Sequence, residues 1–116
     1  MKGAWGEMAA RRFLEQAGYV IVTMNFRTRF GEIDIIAQRG KYIVFVEVKA
    51  RRNDRFAAAR EHVTQGKQAR ILAAAEAWLQ STPSDLQPRF DVIEVYGEQD
   101  APDPPRINHL ENAFGG

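Results

Sequence analysis
An acidic and a basic residue close a strand that is otherwise apolar. Tyr42 to Lys49 reads Tyr-Ile-Val-Phe-Val-Glu-Val-Lys. Its β-branched and aromatic residues predict a buried strand. Alternation puts Val44, Val46, Val48 and Ala50 on one face, and Ile43, Phe45, Glu47 and Lys49 on the other. Buried charge is costly unless it is paired or metal-bound. Any fold built on this strand must therefore supply company for Glu47 and Lys49.

The preceding stretch repeats the anomaly. Gly31 to Ala37 predicts a second short strand, with Glu32, Asp34 and Ile36 on one face and Ile33, Ile35 and Ala37 on the other. Gly40 is the turn signal between the two. With Arg39-Gly40 as a two-residue loop, Gln38 pairs with Lys41 and Asp34 with Phe45. Glu47 then lies diagonal to Asp34 on the same face, roughly 7–8 Å away. A loop of even length keeps the two carboxylates on one face, and an odd one separates them.

In chain order, Ala4 to Ala17 predicts a helix with a Trp5, Ala9, Phe13, Ala17 stripe, stopped at Gly18. Glu7 sits beside that stripe, where a carboxylate also suits a helix N-terminus. Tyr19 to Phe26 predicts the first strand, and Asn25 to Phe30 a connection carrying Arg27 and Arg29. Three consecutive strands with short links predict an antiparallel meander. Arg51 to Arg60 is too polar for core and predicts a loop past the Glu-Val-Lys end. A helix follows from about Thr64 to Gln80, burying Ile71, Ala74, Ala75 and Trp78, with Lys67 and Arg70 as i, i+3 neighbours. Arg89 to Tyr96 predicts a fourth strand, and Gly97 to Arg106, with three of the five prolines, a surface loop. In Ile107 to Phe114, Leu110 and Phe114 stand at helical spacing, and the segment docks on the body.

At 116 residues the chain predicts one domain, 1–116. The net charge of +1 gives no global sign of a nucleic-acid partner. Its distribution says more: Lys49 to Arg70 holds seven basic residues and two acidic, whereas Ser84 onward holds seven acidic and two basic. A solvated face explains such runs as well as a phosphate surface does. Cysteine is absent, which excludes disulfides and thiolate metal sites. No apolar run reaches membrane-span length and the first residues lack a signal-peptide stretch, so a cytoplasmic location is expected. No Gly-rich phosphate loop is present, and His62 and His109 read as isolated surface residues.

Asp34 and Glu47 on adjacent strands, with Glu7 available from the first helix, supply two or three carboxylates that with backbone carbonyls and water make a hard-oxygen site for Mg²⁺ or Mn²⁺. Lys49 stands beside Glu47 on the same face. A metal held there polarises a phosphodiester and activates water. The lysine orients the nucleophile or stabilises charge on the attacked phosphate. Asp34, Glu47 and Glu7 are the candidate metal ligands. Arg27, Arg29, Arg51, Arg52, Lys67 and Arg70 are the candidate DNA contacts.

At these residues the chain resembles the YraN-like family of small bacterial proteins. The resemblance runs through Gly31-Glu-Ile-Asp-Ile-Ile-Ala37 and Val44-Phe-Val-Glu-Val-Lys-Ala-Arg51. It extends to Gly6-Glu7, Asn25 with Arg27, Lys67, Arg89-Phe-Asp91 and Asn112-Ala-Phe114. That family is assigned to the restriction-endonuclease-like superfamily and resembles archaeal Holliday-junction resolvases. The resemblance implies an α/β fold with a mixed central sheet, in the order helix-strand-strand-strand-helix-strand, flanked by helices. It implies that Asp34, Glu47 and Lys49 are catalytic and that Glu7 is the helix-borne carboxylate. Ile33, not proline, precedes Asp34, a departure at a position where the superfamily's proline is often missing.

Three functions follow. One is a metal-dependent endonuclease acting on DNA, with branched DNA as a substrate. A second is a nucleic-acid-binding or scaffolding module on the same fold. A third is a plain Glu47–Lys49 ion pair at a strand end, which leaves the extra carboxylate of Asp34 unexplained. A resolvase-like task favours a homodimer, because a four-way junction presents two equivalent strands.

Overall fold
The computed structural model describes residues 2–51 and 63–115. Its elements are α1 (Lys2–Gln16), β1 (Val20–Arg27), β2 (Glu32–Arg39), β3 (Tyr42–Arg51), α2 (Gln65–Ser81), β4 (Gln87–Tyr96) and β5 (Arg106–Phe114). The expected helix-strand-strand-strand-helix-strand order is present, followed by one further strand. The five strands form one sheet in the order β1-β2-β3-β4-β5. This α/β arrangement of a mixed sheet with two helices is compatible with a restriction-endonuclease-like fold.

The antiparallel meander of β1, β2 and β3 is as the short links predict. β3 and β4 run parallel over their full lengths. Parallel neighbours need a long crossover, and α2 lies on it. β5 returns antiparallel to β4. Leu110 and Phe114 at helical spacing leave the type of this segment open in the sequence, and it is a strand. Ile107 and His109 are half-buried and alternate with exposed Asn108 and Leu110, and the unpaired edge of β4 supplies the hydrogen-bond partners that the segment needs.

Each face of the sheet buries one helix. Ile71, Ala74, Ala75 and Trp78 of α2 pack with Ile43, Phe45, Phe90 and Val92. Ala9, Ala10 and Leu14 of α1 pack with Val44, Val46, Ile93 and Val95. The two faces of β3 are thus divided as its alternation predicts. Thr64 caps α2: its Oγ1 accepts the Lys67 amide at 3.1 Å, which satisfies one of the first-turn N–H groups and offsets the cost of Gly66.

The β2–β3 loop is Gly40-Lys41, flanked by the pair Arg39–Tyr42. The sequence placed the loop one residue earlier. The observed register pairs Ile36, not Asp34, with Phe45. A slip of two residues leaves side-chain faces unchanged, so the carboxylates still converge. The ladder stops at Ile35–Val46, one residue short of Asp34, so the expected Asp34–Phe45 pair is not formed.

Candidate active site
The paired ladder of β2 and β3 ends at Ile35–Val46, although β2 extends back to Glu32 and β3 runs on to Arg51. The two strands part at this point, and Asp34 stands at the fork. Its Oδ2 accepts the Val48 amide at 2.8 Å. A side-chain carboxylate thus takes the place of a backbone acceptor.

Strand alternation breaks at the same level. Ile33 lies in the α2-side core, whereas Ile35 and Ala37 lie on the α1 side. On β1, Phe26 packs toward α2 and Met24 toward α1. Between them Asn25 has a φ of 53°, a conformation that asparagine tolerates better than most residues. The expected common face for Ile33, Ile35 and Ala37 is therefore not found. An irregularity at Asn25 and Asp34 turns both strands over and points the Asp34 carboxylate toward β3.

Glu47 is buried at 4% exposure, on the α2 face of β3. Lys67 Nζ of α2 lies 2.7 Å from its Oε2, and Lys49 Nζ lies 3.8 Å from the same atom. Glu47 in turn holds Lys67 above its ordinary pKa, first through that hydrogen bond and then through charge. Asp34 is displaced further. Burial, then the charge of Glu47, push its carboxyl up to about 7, against the opposing Val48 hydrogen bond. The Glu7 carboxylate adds to the rise. Two carboxylates this close cannot both ionise without cost, which a cation relieves.

Glu7 reaches this neighbourhood because α1 lies close on β3. A Cβ on Gly6 would stand 3.1 Å from Ala50 Cβ, so a larger residue there would press the helix away. Among the described residues, no group of three or more His, Cys, Asp and Glu side chains forms a metal-ligand cluster. The carboxylate pair is Asp34 with Glu47, and Glu7 is its electrostatic neighbour. Glu94 is a further buried carboxylate, in register with Lys49 on β4. It accepts the Asn108 side-chain amide at 2.8 Å.

The basic candidates are scattered. Arg27 faces Glu32 at 3.4 Å across β1 and β2, both well exposed. Arg29 lies over the Phe30 ring. Arg70 is exposed on α2, and its carbonyl meets Gly31. Arg51 ends β3 and lines a cleft of about 610 Å³ with Trp5 and Gly97 to Ala101. Lys67 is turned to Glu47. Arg52 and His62 lie outside the described residues.

His109 is not a surface residue. Its Nε2 lies 2.7 Å from Asp91 Oδ2, with the His109 side chain 10% exposed and that of Asp91 fully buried. Arg89 donates to both Asp91 oxygens and to the Tyr19 hydroxyl. The Asn112 amide donates to Asp91 as well. Burial alone would raise the Asp91 pKa, yet the hydrogen bonds from His109, Arg89 and Asn112 hold it below its usual range. Arg89-x-Asp91, one charge pair on one face of a core strand, was the signal in the sequence for this network.

Residues 6–95 match the uncharacterised protein family UPF0102. The chain belongs to UPF0102. It is 42% identical to a UPF0102 protein of Syntrophomonas wolfei over 113 residues, covering 97% of this chain and 96% of that one. Against UPF0102 proteins of Geobacter sulfurreducens and Symbiobacterium thermophilum the identity is 46%, over 97% of this chain and 87% and 94% of theirs. The YraN-like resemblance read from the sequence is this membership. Glu7, Asp34, Glu47, Lys49 and Lys67 all fall within the UPF0102 match, whereas β5 and His109 lie beyond it.

Proposed function
We propose that the chain is a metal-dependent endonuclease that hydrolyses phosphodiester bonds in DNA, acting on branched or recombination-intermediate DNA. The observation that carries this reading is the convergence of Asp34 and Glu47 at the β2–β3 fork, where burial first and then the charge of Glu47 push the Asp34 carboxyl up to about 7. A pair that resists double ionisation is a natural seat for a divalent cation. Asp34 and Glu47 would hold Mg²⁺ or Mn²⁺, with Glu7 adding negative charge nearby. When bound, such an ion supplies the charge that polarises a phosphodiester and lowers the pKa of water.

The chain's own residues have distinct tasks. The Val48 amide fixes the Asp34 carboxylate. Lys67 neutralises Glu47 at hydrogen-bond distance and holds its orientation. Lys49 lies 3.8 Å from Glu47 and is partly exposed, and in this reading it would meet the attacked phosphate. The exposed arginines of the β1–β2 turn and Arg70 contribute phosphate contacts.

A second reading, a nucleic-acid-binding or scaffolding module, is favoured by one observation. The Lys67 ammonium already sits on Glu47, so a resident cation of the chain's own satisfies that carboxylate. Purified protein on junction, flap, single-stranded and duplex DNA, with Mg²⁺ and Mn²⁺, separates the two. Cutting by the wild type that is lost in Asp34→Asn and in Lys49→Ala supports the endonuclease. Binding with no cutting of any of the four supports the module.

A further inference from the structure
The turn between β1 and β2 holds an exposed aromatic ring. Phe30 is 53% exposed and belongs to neither core cluster. Single exposed apolar side chains are ordinary; this one is unusual in how firmly its backbone is held. The Thr28 amide donates to the Gly31 carbonyl at 2.8 Å. The Thr28 hydroxyl donates to the same carbonyl at 3.0 Å and accepts the amides of Phe30 and Gly31 at 3.0 and 3.1 Å. Behind the turn, a Cβ on Gly31 would overlap the Arg70 carbonyl carbon and oxygen of α2. Only glycine lets the turn seat against the helix backbone there. The ring is thus presented on a braced support, with the Arg29 guanidinium 4.9 Å from its centroid.

Its position matters as much as its exposure. Phe30 precedes Asp34 by four residues, at most roughly 13 Å along a strand. That span corresponds to about four steps of a nucleic-acid strand at 3.4 Å each. Arg29 beside it and Arg70 behind it are exposed cations suited to phosphates. A braced aromatic ring flanked by cations, a few nucleotides from a carboxylate pair, matches the chemistry of an unpaired nucleobase. Aromatic faces stack on any base irrespective of sequence. Bases inside continuous duplex have both faces covered by neighbours and offer no face to the ring.

We infer that Phe30 is a stacking platform for an unpaired base beside the carboxylate site, and that it selects flapped, branched or single-stranded DNA over continuous duplex. Its effect on cutting rests on the endonuclease reading; its effect on binding does not. The test uses 2-aminopurine placed at successive positions in the single-stranded arm of a flap, titrated with the whole protein in EDTA so that nothing is cut. Stacking quenches this base. The wild type should quench it and bind the flap more tightly than blunt duplex. Phe30→Ala should lose the quench and bind the flap about 5- to 150-fold more weakly, with duplex affinity and melting temperature unchanged. Phe30→Trp should keep both the quench and the preference. A Phe30→Ala protein with the wild-type quench, or with the wild-type flap-to-duplex ratio, overturns the inference. Quenching by a wild type that cuts nothing in Mg²⁺ or Mn²⁺ upholds the platform and sinks the endonuclease. Cutting by a wild type whose substrate preference survives Phe30→Ala does the reverse.

Discussion

Glu47 is bonded more closely to Lys67, which comes from α2, than to Lys49 on its own strand. The distances to Glu47 Oε2 are 2.7 Å and 3.8 Å. The two lysines therefore divide the work that a plain strand-end ion pair would give to one. Lys67→Ala should leave buried Glu47 short of its nearest cation and cost roughly 1–3 kcal/mol, less than for a fully buried pair because the Lys67 side chain is about a third exposed. Lys49→Ala should barely change the denaturation midpoint yet lower nicking in Mn²⁺ by about 10²–10³. Equal effects of the two substitutions on stability, with nicking untouched by Lys49→Ala, would return Lys49 to a structural role.

Asp34 gives the apo protein a pH dependence of definite sign. Its folded pKa of about 7 lies above the ordinary 3.8. Between these values the folded chain keeps a proton that the unfolded chain has released. Stability should therefore fall as pH rises from about 4 to 7, by at most ~1.4 kcal/mol per unit. Urea denaturation in EDTA at several pH values should show this slope in the wild type and a shallower one in Asp34→Asn. Parallel slopes in the two proteins would contradict it.

Metal binding must displace the same proton. Mg²⁺ or Mn²⁺ should raise the melting temperature at pH 8 and lose most of that effect at pH 5. EDTA should reverse the rise, and Asp34→Asn should lack it at both pH values. A metal response that ignores both pH and Asp34 would move the ion elsewhere on the chain.

The cations around the β1–β2 turn predict a salt effect. Arg29→Ala combined with Arg70→Ala should weaken binding to all DNA sequences alike. It should also reduce the slope of log affinity against log salt by about 0.9 for each duplex phosphate that is no longer neutralised. Filter binding at several salt concentrations measures it, and an unchanged slope would leave these arginines as solvated surface.

Asp91 predicts a purely structural loss. Asp91→Ala removes the buried carboxylate shared by Arg89 and His109, and leaves Arg89 the Tyr19 hydroxyl and the more distant, exposed Glu111 at 3.8 Å. Depriving this nearly buried guanidinium of its closest carboxylate should cost about 3–5 kcal/mol, read as a shift in the urea midpoint. A shift worth under about 1 kcal/mol would show that water reaches Arg89 readily.

Much of this was legible in the residues. The alternation of β3 placed Glu47 and Lys49 together on the α2 face, and an even loop kept Asp34 with them despite a two-residue difference in register. The apolar stripe of α2 identified Ile71, Ala74, Ala75 and Trp78, all buried. What escaped depends on the docking of distant elements. Lys67 reads as one more surface cation until α2 settles on the sheet. His109 looks isolated because Asp91 is 18 residues away and meets it only through β5. That strand itself was hidden by a chance helical spacing, since pairing with β4 decided its conformation. The turnover of faces at Asn25 and Asp34 breaks the alternation on which strand reading relies.

The local origin of the carboxylate pair has a consequence for how the chain folds. Asp34 and Glu47 belong to one hairpin closed by Gly40-Lys41, and hairpins form within about 1–10 μs. Lys67 arrives with α2, beside a parallel β3–β4 pairing that is non-local and correspondingly slow. In the interval the two acids have only Lys49, on the same hairpin and 3.8 Å from Glu47, to offset their repulsion at its open end. Protonation of Asp34 should relieve that repulsion. Refolding should then be faster at mildly acidic pH in the wild type and lose that dependence in Asp34→Asn, as stopped-flow refolding would show.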